Sequence, residues 1–332
     1  MKVSIYYIII GIFILISCSK HSTNIKYENI SPTIVYDSIE TRMPGQLFLY
    51  EKYFVWTDPF EIEGQAHIID LKSNKEIKKI VNIGEGPDDF ITPIFIKSFS
   101  NQLIIGDINR NKIGYYSFNN IDKQSKTEIQ IKRENTKDKN RIIEIEKDNF
   151  LFFDAGLKQP FNYKGINFGK NPIDKNVGNK KEIYQGNIAY SNLNEYLIYS
   201  TILFPYMAAY KRNGDYFELV WEKTGDIDYD IIDNNIRLNY RKKGISELTL
   251  TKDYIVALQR DYATDPTDET TVGRDFDKLP KTLFIYDYNG NLKKILNFKL
   301  PIIRISSYSN ENTIYIIGLN PDFTLMKYNI TT

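Results

Sequence analysis

The chain has 332 residues, with 43 Lys and Arg against 42 Asp and Glu, 25 Tyr, 19 Phe, two His and a single Cys. Near-neutral charge with no basic stripe excludes the electrostatic footprint that nucleic acid demands. Two histidines are too few for a zinc centre with several His ligands, and one cysteine excludes both a thiolate site with further Cys ligands and an intramolecular disulfide.

In chain order the first element is an apolar run over residues 5–16, preceded by Lys2 and ending Leu15-Ile16-Ser17-Cys18. It is shorter than the roughly 20 apolar residues a membrane-spanning helix needs, and it fits the apolar segment of a cleaved signal. Lys2 is the one charged residue before Cys18, so removing it from 43 basic residues leaves 42 against 42 acidic ones.

Leu15 to Cys18 resembles the lipobox of bacterial lipoproteins. The resemblance implies cleavage before Cys18 and acylation of that cysteine with more than one chain, which anchors stably where a single chain is marginal. It also implies the bacterial cell envelope as the location, the outer membrane being preferred to the inner. Residues 1–17 are then a signal peptide, the polar stretch 18–32 a flexible tether, and 33–332 one folded domain.

That domain reads as all-β. Tyr, Phe and Ile suit a pleated, half-buried surface, and Asn and Asp crowd the gaps between apolar runs, where they favour turns. One unit recurs: an apolar strand, a short turn and a second strand. It appears at 67–83 around Ser73-Asn74 and at 103–118 around Asn109-Arg110-Asn111. It returns at 206–221 around Asn213-Gly214, at 282–300 around Asn289-Gly290 and at 313–329 around Asn320-Pro321. Asn-Gly between apolar runs is a strong short-range hairpin signal. Helical periodicity is nearly absent, 226–238 being the best candidate. Recurrence at about 40 to 50 residues is the spacing of propeller blades. The units fall at 44–90, 91–131, 140–183, 186–240, 245–300 and 302–332, a six-bladed β-propeller, with five or seven blades as alternatives. Residues 33–39 are the natural strand to close the ring against 313–329.

Residues 81–118, VNIGEGPDDFITPIFIKSFSNQLIIGDINRNKIGYYSF, resemble a single NHL repeat. The matching positions include Gly84, Gly86, Pro87 and Phe90, then Asp107, Asn109 and Arg110. The same loop is similar to that of TolB-like and NHL-like propeller lipoproteins of Bacteroidetes. On this reading Gly84 and Gly86 supply turn geometry that includes positive φ. Pro87 stiffens the interblade loop, Phe90 plugs between sheets, Asp107 and Asn109 hold a turn, and Arg110 pairs across the blade.

The search for chemistry leaves carboxylates. No Gly-x-Ser-x-Gly elbow is present, and His67 starts a strand, which favours a structural role. Asp226, Asp228 and Asp230 have alternate spacing but lack the glycine and glutamate of a calcium loop. The polar insertion 261–277 reads as a solvated loop or a lid. Asp58, Glu63, Asp107, Asp154 and Asp261 are candidates to face a central channel. Their convergence would support calcium binding of the kind six-bladed lactonases use, and with it a calcium-dependent hydrolase. A binding module for a peptide, a protein or a glycan is favoured over the enzyme, because a ring of loops binds without catalytic residues. A purely structural scaffold is the third reading. No cofactor is called for beyond that calcium.

Overall fold

In a computed structural model, residues 25–98, 100–107, 109–121, 130–133, 141–173, 175–239, 242–266 and 275–331 are described. The expected acylation site, Cys18, lies outside them. Two short strands come first, β1 (Lys26–Asn29) and β2 (Thr33–Tyr36). Six sheets follow in chain order. Blade one is β3 (Leu47–Tyr50), β4 (Tyr53–Thr57), β5 (Ala66–Asp70) and β6 (Lys75–Ile80); blade two is β7 (Pro93–Ile96), β8 (Gln102–Asp107), β9 (Lys112–Ser117) and β10 (Gln130–Arg133). Blade three is β11 (Arg141–Glu146), β12 (Asn149–Phe153), β13 (Phe161–Tyr163) and β14 (Ile166–Phe168); blade four is β15 (Gly186–Ser191), β16 (Tyr196–Thr201), β17 (Tyr206–Asn213) and β18 (Tyr216–Thr224). A separate hairpin, β19 (Tyr229–Ile232) and β20 (Asn235–Leu238), leads to blade five, made of β21 (Glu247–Leu250), β22 (Tyr254–Leu258), β23 (Thr282–Asp287) and β24 (Leu292–Asn297). Blade six is β25 (Ile302–Ser307), β26 (Thr313–Leu319) and β27 (Phe323–Asn329), completed by β2. This is the six-bladed β-propeller that the hairpin rhythm predicts.

The packing follows from side-chain alternation, since each blade has apolar residues on both faces of its sheet. On β4, Val55 packs towards blade two with Phe95 and Leu103, while Phe54 and Trp56 pack towards blade six with Ile317 and Leu325. Among the described residues the buried apolar side chains fall into six clusters, each joining two neighbouring blades. The core is therefore a ring of six interfaces around an open axis.

The ring closes through β2, which pairs antiparallel with β27 in the register Thr33↔Lys327 and Ile34↔Met326. The described part of the stretch 18–32, expected to be irregular, contains a strand. Within it, β1 adds to the outer edge of blade five, parallel to β24, from Lys26↔Lys294 to Asn29↔Asn297. Polar side chains do not prevent this, because the edge of β24 offers unpaired backbone groups and strand addition uses only the main chain. Ile30 then buries beside Leu296 and Phe298. The helical candidate at 226–238 is also corrected. It contains the β19–β20 hairpin, turned by Asp233 and Asn234 at φ 49° and 61°, two residue types that tolerate the left-handed conformation.

Candidate functional site

All six inner strands, β3, β7, β11, β15, β21 and β25, contribute to the lining of an axial channel of about 580 Å³. At the end where each inner strand turns into its second strand, the channel region opens towards a basin of about 1000 Å³. Lys97, just beyond β7, lines both. The basin carries Tyr50 and Glu51 from blade one, Ser98 and Asn101 from blade two, Tyr190 and Asn192 from blade four, and Ser307 to Glu311 and Tyr315 from blade six. The Tyr308 hydroxyl donates to the Tyr50 carbonyl at 2.8 Å, and its ring meets Tyr315 edge-on at 6.2 Å. Burial pushes both the Tyr50 and Tyr308 phenols up, so these rings present neutral hydroxyls at physiological pH.

The channel wall is charged. Arg304 Nη1 lies 3.0 Å from Glu247 Oε1, and Arg141 Nη1 donates to Asn187 Oδ1 at 3.2 Å. Burial raises the Glu247 carboxyl, an effect the two arginines oppose, and burial lowers the Arg141 guanidinium, an effect Glu247 opposes. Lys97 Nζ donates to the Ser307 carbonyl at 3.2 Å, and burial lowers its ammonium to about 8. These residues escape a motif search. Their signal is a charge set into an apolar inner strand, as Arg304 is between Ile303 and Ile305.

The five sequence-predicted carboxylates line neither cavity. Asp58, Glu63, Asp107, Asp154 and Asp261 lie at or after the end of the second strand of their blades, on the face opposite the basin. Most are used by their own turns, an arrangement short polar side chains favour. Asp107 accepts backbone N–H from Ile91, Asn109 and Arg110, at 2.7, 3.0 and 3.2 Å. Asp154 accepts from Gly156 at 2.9 Å, and Asp261 from the Ala263 backbone and the Thr264 hydroxyl. Glu63 is exposed. The convergence that a channel calcium site requires is absent among the described residues.

Among those residues one metal-capable group of three is formed, by Asp58, Glu61 and His67, whose ligand atoms all lie within 4.8 Å of one another. Only Asp58 of this group was a sequence candidate. His67 on β5 is buried and stacks on Trp56 with ring centroids 3.8 Å apart. Its Nδ1 lies 2.7 Å from Glu76 Oε2 on β6, and its Nε2 lies 3.1 Å from Glu61 Oε2.

In the 81–118 unit, Phe90 is fully buried between blades one and two. Arg110 Nη1 donates to the Gly86 carbonyl at 2.9 Å, and the Asn109 amide donates to Thr92 Oγ1 at 2.7 Å. Lys112 Nζ sits 4.2 Å from the Phe90 ring centroid and donates to the Pro87 carbonyl at 3.3 Å. The expected positive φ is not found at Gly84 or Gly86. Both are instead crowded by Asp89, whose Oδ2 would stand 2.6 Å from a Cβ at either position and which accepts the Gly86 N–H at 3.1 Å.

No family model and no curated protein matches the chain. Among solved structures, a "Putative exported protein" of Bacteroides fragilis NCTC 9343 matches with a TM-score of 0.53 at 13% identity, over 92% of this chain and 94% of that one. The β-propeller domain of Cps50 (Swd1) from Myceliophteria thermophila matches at TM-score 0.44 and 11% identity, over 91% of this chain and 100% of that one. Raptor of Chaetomium thermophilum matches at 0.48 and 9%, over 90% of this chain, which spans only 29% of Raptor's length. At these identities the likeness concerns the fold.

Proposed function

We propose that this protein is a lipid-anchored binding module of the bacterial cell envelope, held by acylated Cys18 and taking a peptide, a protein segment or a glycan into the basin. On the 81–118 unit we place it with the NHL-like and TolB-like propeller lipoproteins of Bacteroidetes. The observation that carries the binding role is the basin itself, about 1000 Å³ of open space with loops of four blades on its wall. Its lining is dominated by Tyr, Ser and Asn, the residues with which antibody paratopes combine rigid amphipathic rings and adaptable hydrogen bonding. The apolar run before Cys18 supports export, and the description of the Bacteroides fragilis protein as exported is in keeping with it. The calcium-dependent hydrolase gains no support from the arrangement of Asp107, Asp154 and Asp261.

The test has two arms. Cys18→Ala should move the protein from the membrane to the soluble envelope fraction, and continued membrane pelleting would sink the anchor. The soluble chain from Ser19 onward should capture a ligand from arrays of envelope glycans and peptides. Tyr308→Ala should weaken that capture at least tenfold, while Glu63→Ala, on the opposite face, should leave it unchanged. Equal loss in both variants would remove the basin as the binding site.

A further inference from the structure

The geometry points to a zinc-type divalent cation site on blade one, with Asp58, Glu61 and His67 Nε2 as protein ligands. It stands apart from the basin and owes nothing to the binding role proposed above. Three observations converge on it.

The ligand atoms are already gathered within 4.8 Å of one another, and two of them, His67 Nε2 and Glu61 Oε2, are 3.1 Å apart. A tetrahedral zinc ion about 2.1 Å from each ligand needs separations of about 3.4 Å, so small side-chain rotations complete the set. The second observation is the state of Nε2. His67 is 2% exposed, and its Nε2 is buried without a hydrogen-bond partner, since the Glu61 contact does not meet hydrogen-bonding geometry. A buried imidazole nitrogen left so among carboxylates is a ligand atom lacking its acceptor.

The third is the other side of the ring. Glu76 Oε2 lies 2.7 Å from Nδ1 and as a carboxylate accepts there, so Nδ1 carries a proton, and in the neutral ring the Nε2 lone pair faces Glu61 Oε2, 3.1 Å away. A carboxylate behind a ligating histidine is the usual support of such a site, orienting the ring and raising its basicity. Trp56, stacked on the ring, holds its plane. Lys79 Nζ donates to Glu61 Oε1 at 2.9 Å and to Oε2 at 3.3 Å, so Oε2 is shared between the lysine and the histidine. One nitrogen with two carboxylates suits zinc better than calcium, which prefers six to eight oxygen ligands. Three protein ligands leave a fourth position for water, and the bound ion would tie the 58–65 loop to β5.

Trp56 supplies the readout. In the soluble chain from Ser19 onward carrying Trp221→Phe, Trp56 is the remaining tryptophan. After chelator treatment and dialysis, titration with Co²⁺ should quench Trp56 fluorescence and saturate at one equivalent, with Zn²⁺ reversing the quench and Ca²⁺ failing to do so. His67→Gln should abolish saturation, and Glu76→Gln should weaken binding about 10- to 100-fold. Should His67→Gln fail to fold by circular dichroism, Glu61→Gln, at the partly exposed end of the group, replaces it and should weaken binding at least tenfold. Quenching that never saturates in the parent, or that persists unchanged in the folded ligand variants, overturns the site and leaves His67 as the centre of an ion pair only.

Discussion

Blades one and two each set an aspartate at the end of their second strand, and the two aspartates do different things. Asp107 ends β8 above a turn of four residues, and three backbone N–H groups occupy its carboxylate. Asp58 follows β4 at the start of a longer loop, and one backbone N–H, that of Phe60, reaches it at 2.8 Å. The longer loop also carries Glu61 over His67. In these two blades the short turn fills its aspartate with backbone N–H groups, while the longer loop leaves carboxylate oxygen beside His67.

The sharpest way to break that contrast is to truncate both acids. Asp107→Ala removes a fully buried carboxylate that holds three part-buried N–H groups, and should cost about 2 to 4 kcal/mol in urea unfolding. Asp58→Ala in metal-free buffer should cost about 1 kcal/mol. Equal losses would mean that Asp58 is as fully used by its turn as Asp107.

A smaller effect tests how the blade-two loop is held. Gly86→Ala should destabilise by about 1 to 2 kcal/mol, because its Cβ meets Asp89 Oδ2 and not because of backbone strain. In an Asp89→Ala background the same substitution should cost about 1 kcal/mol less, the coupling expected of residues in contact. Additive costs in the double-mutant cycle would return the explanation to backbone geometry.

The smallest effect belongs to a carboxylate held by side chains instead of backbone. Glu146, ending β11, is held down to about 2 by its hydrogen bond from Arg212, with Tyr163 and Lys164 contributing. A depressed carboxyl stabilises the fold fully above its ordinary value of 4.5 and loses that contribution as pH falls through about 2. Glu146 is 39% exposed, so solvent screening keeps the effect small. Glu146→Gln should therefore lower stability by under about 1 kcal/mol at neutral pH, with the difference from the parent shrinking towards pH 2. A difference that persists unchanged at pH 2 would mean a packing effect.

The blades were legible because hairpins are local. Asn213-Gly214 and Asn289-Gly290 mark turns whose glycines take φ 63° and 80°, and the apolar runs beside them become the strands. The closing strand was legible for a different reason, as an apolar β-branched run before the first blade, although its partner β27 lies at the far end of the chain. The strand at 26–29 was not, because Lys26, Glu28 and Asn29 carry no burial pattern and the edge of β24 selects them through backbone alone. Hairpin 229–238 was missed because its apolar residues alternate poorly, and its turn signal, Asp233-Asn234, lacks glycine.

By itself the sequence carried the all-β class and a count of six blades with five or seven left open, since hairpins depend on neighbours within about 40 residues. Only the tertiary structure decided which charges meet. Arg141, Glu247 and Arg304 come from three blades to one channel, and Glu61 and Glu76 close on His67 from a loop and a neighbouring strand. Strand pairing and ring closure set those distances, and no periodicity in the chain records them.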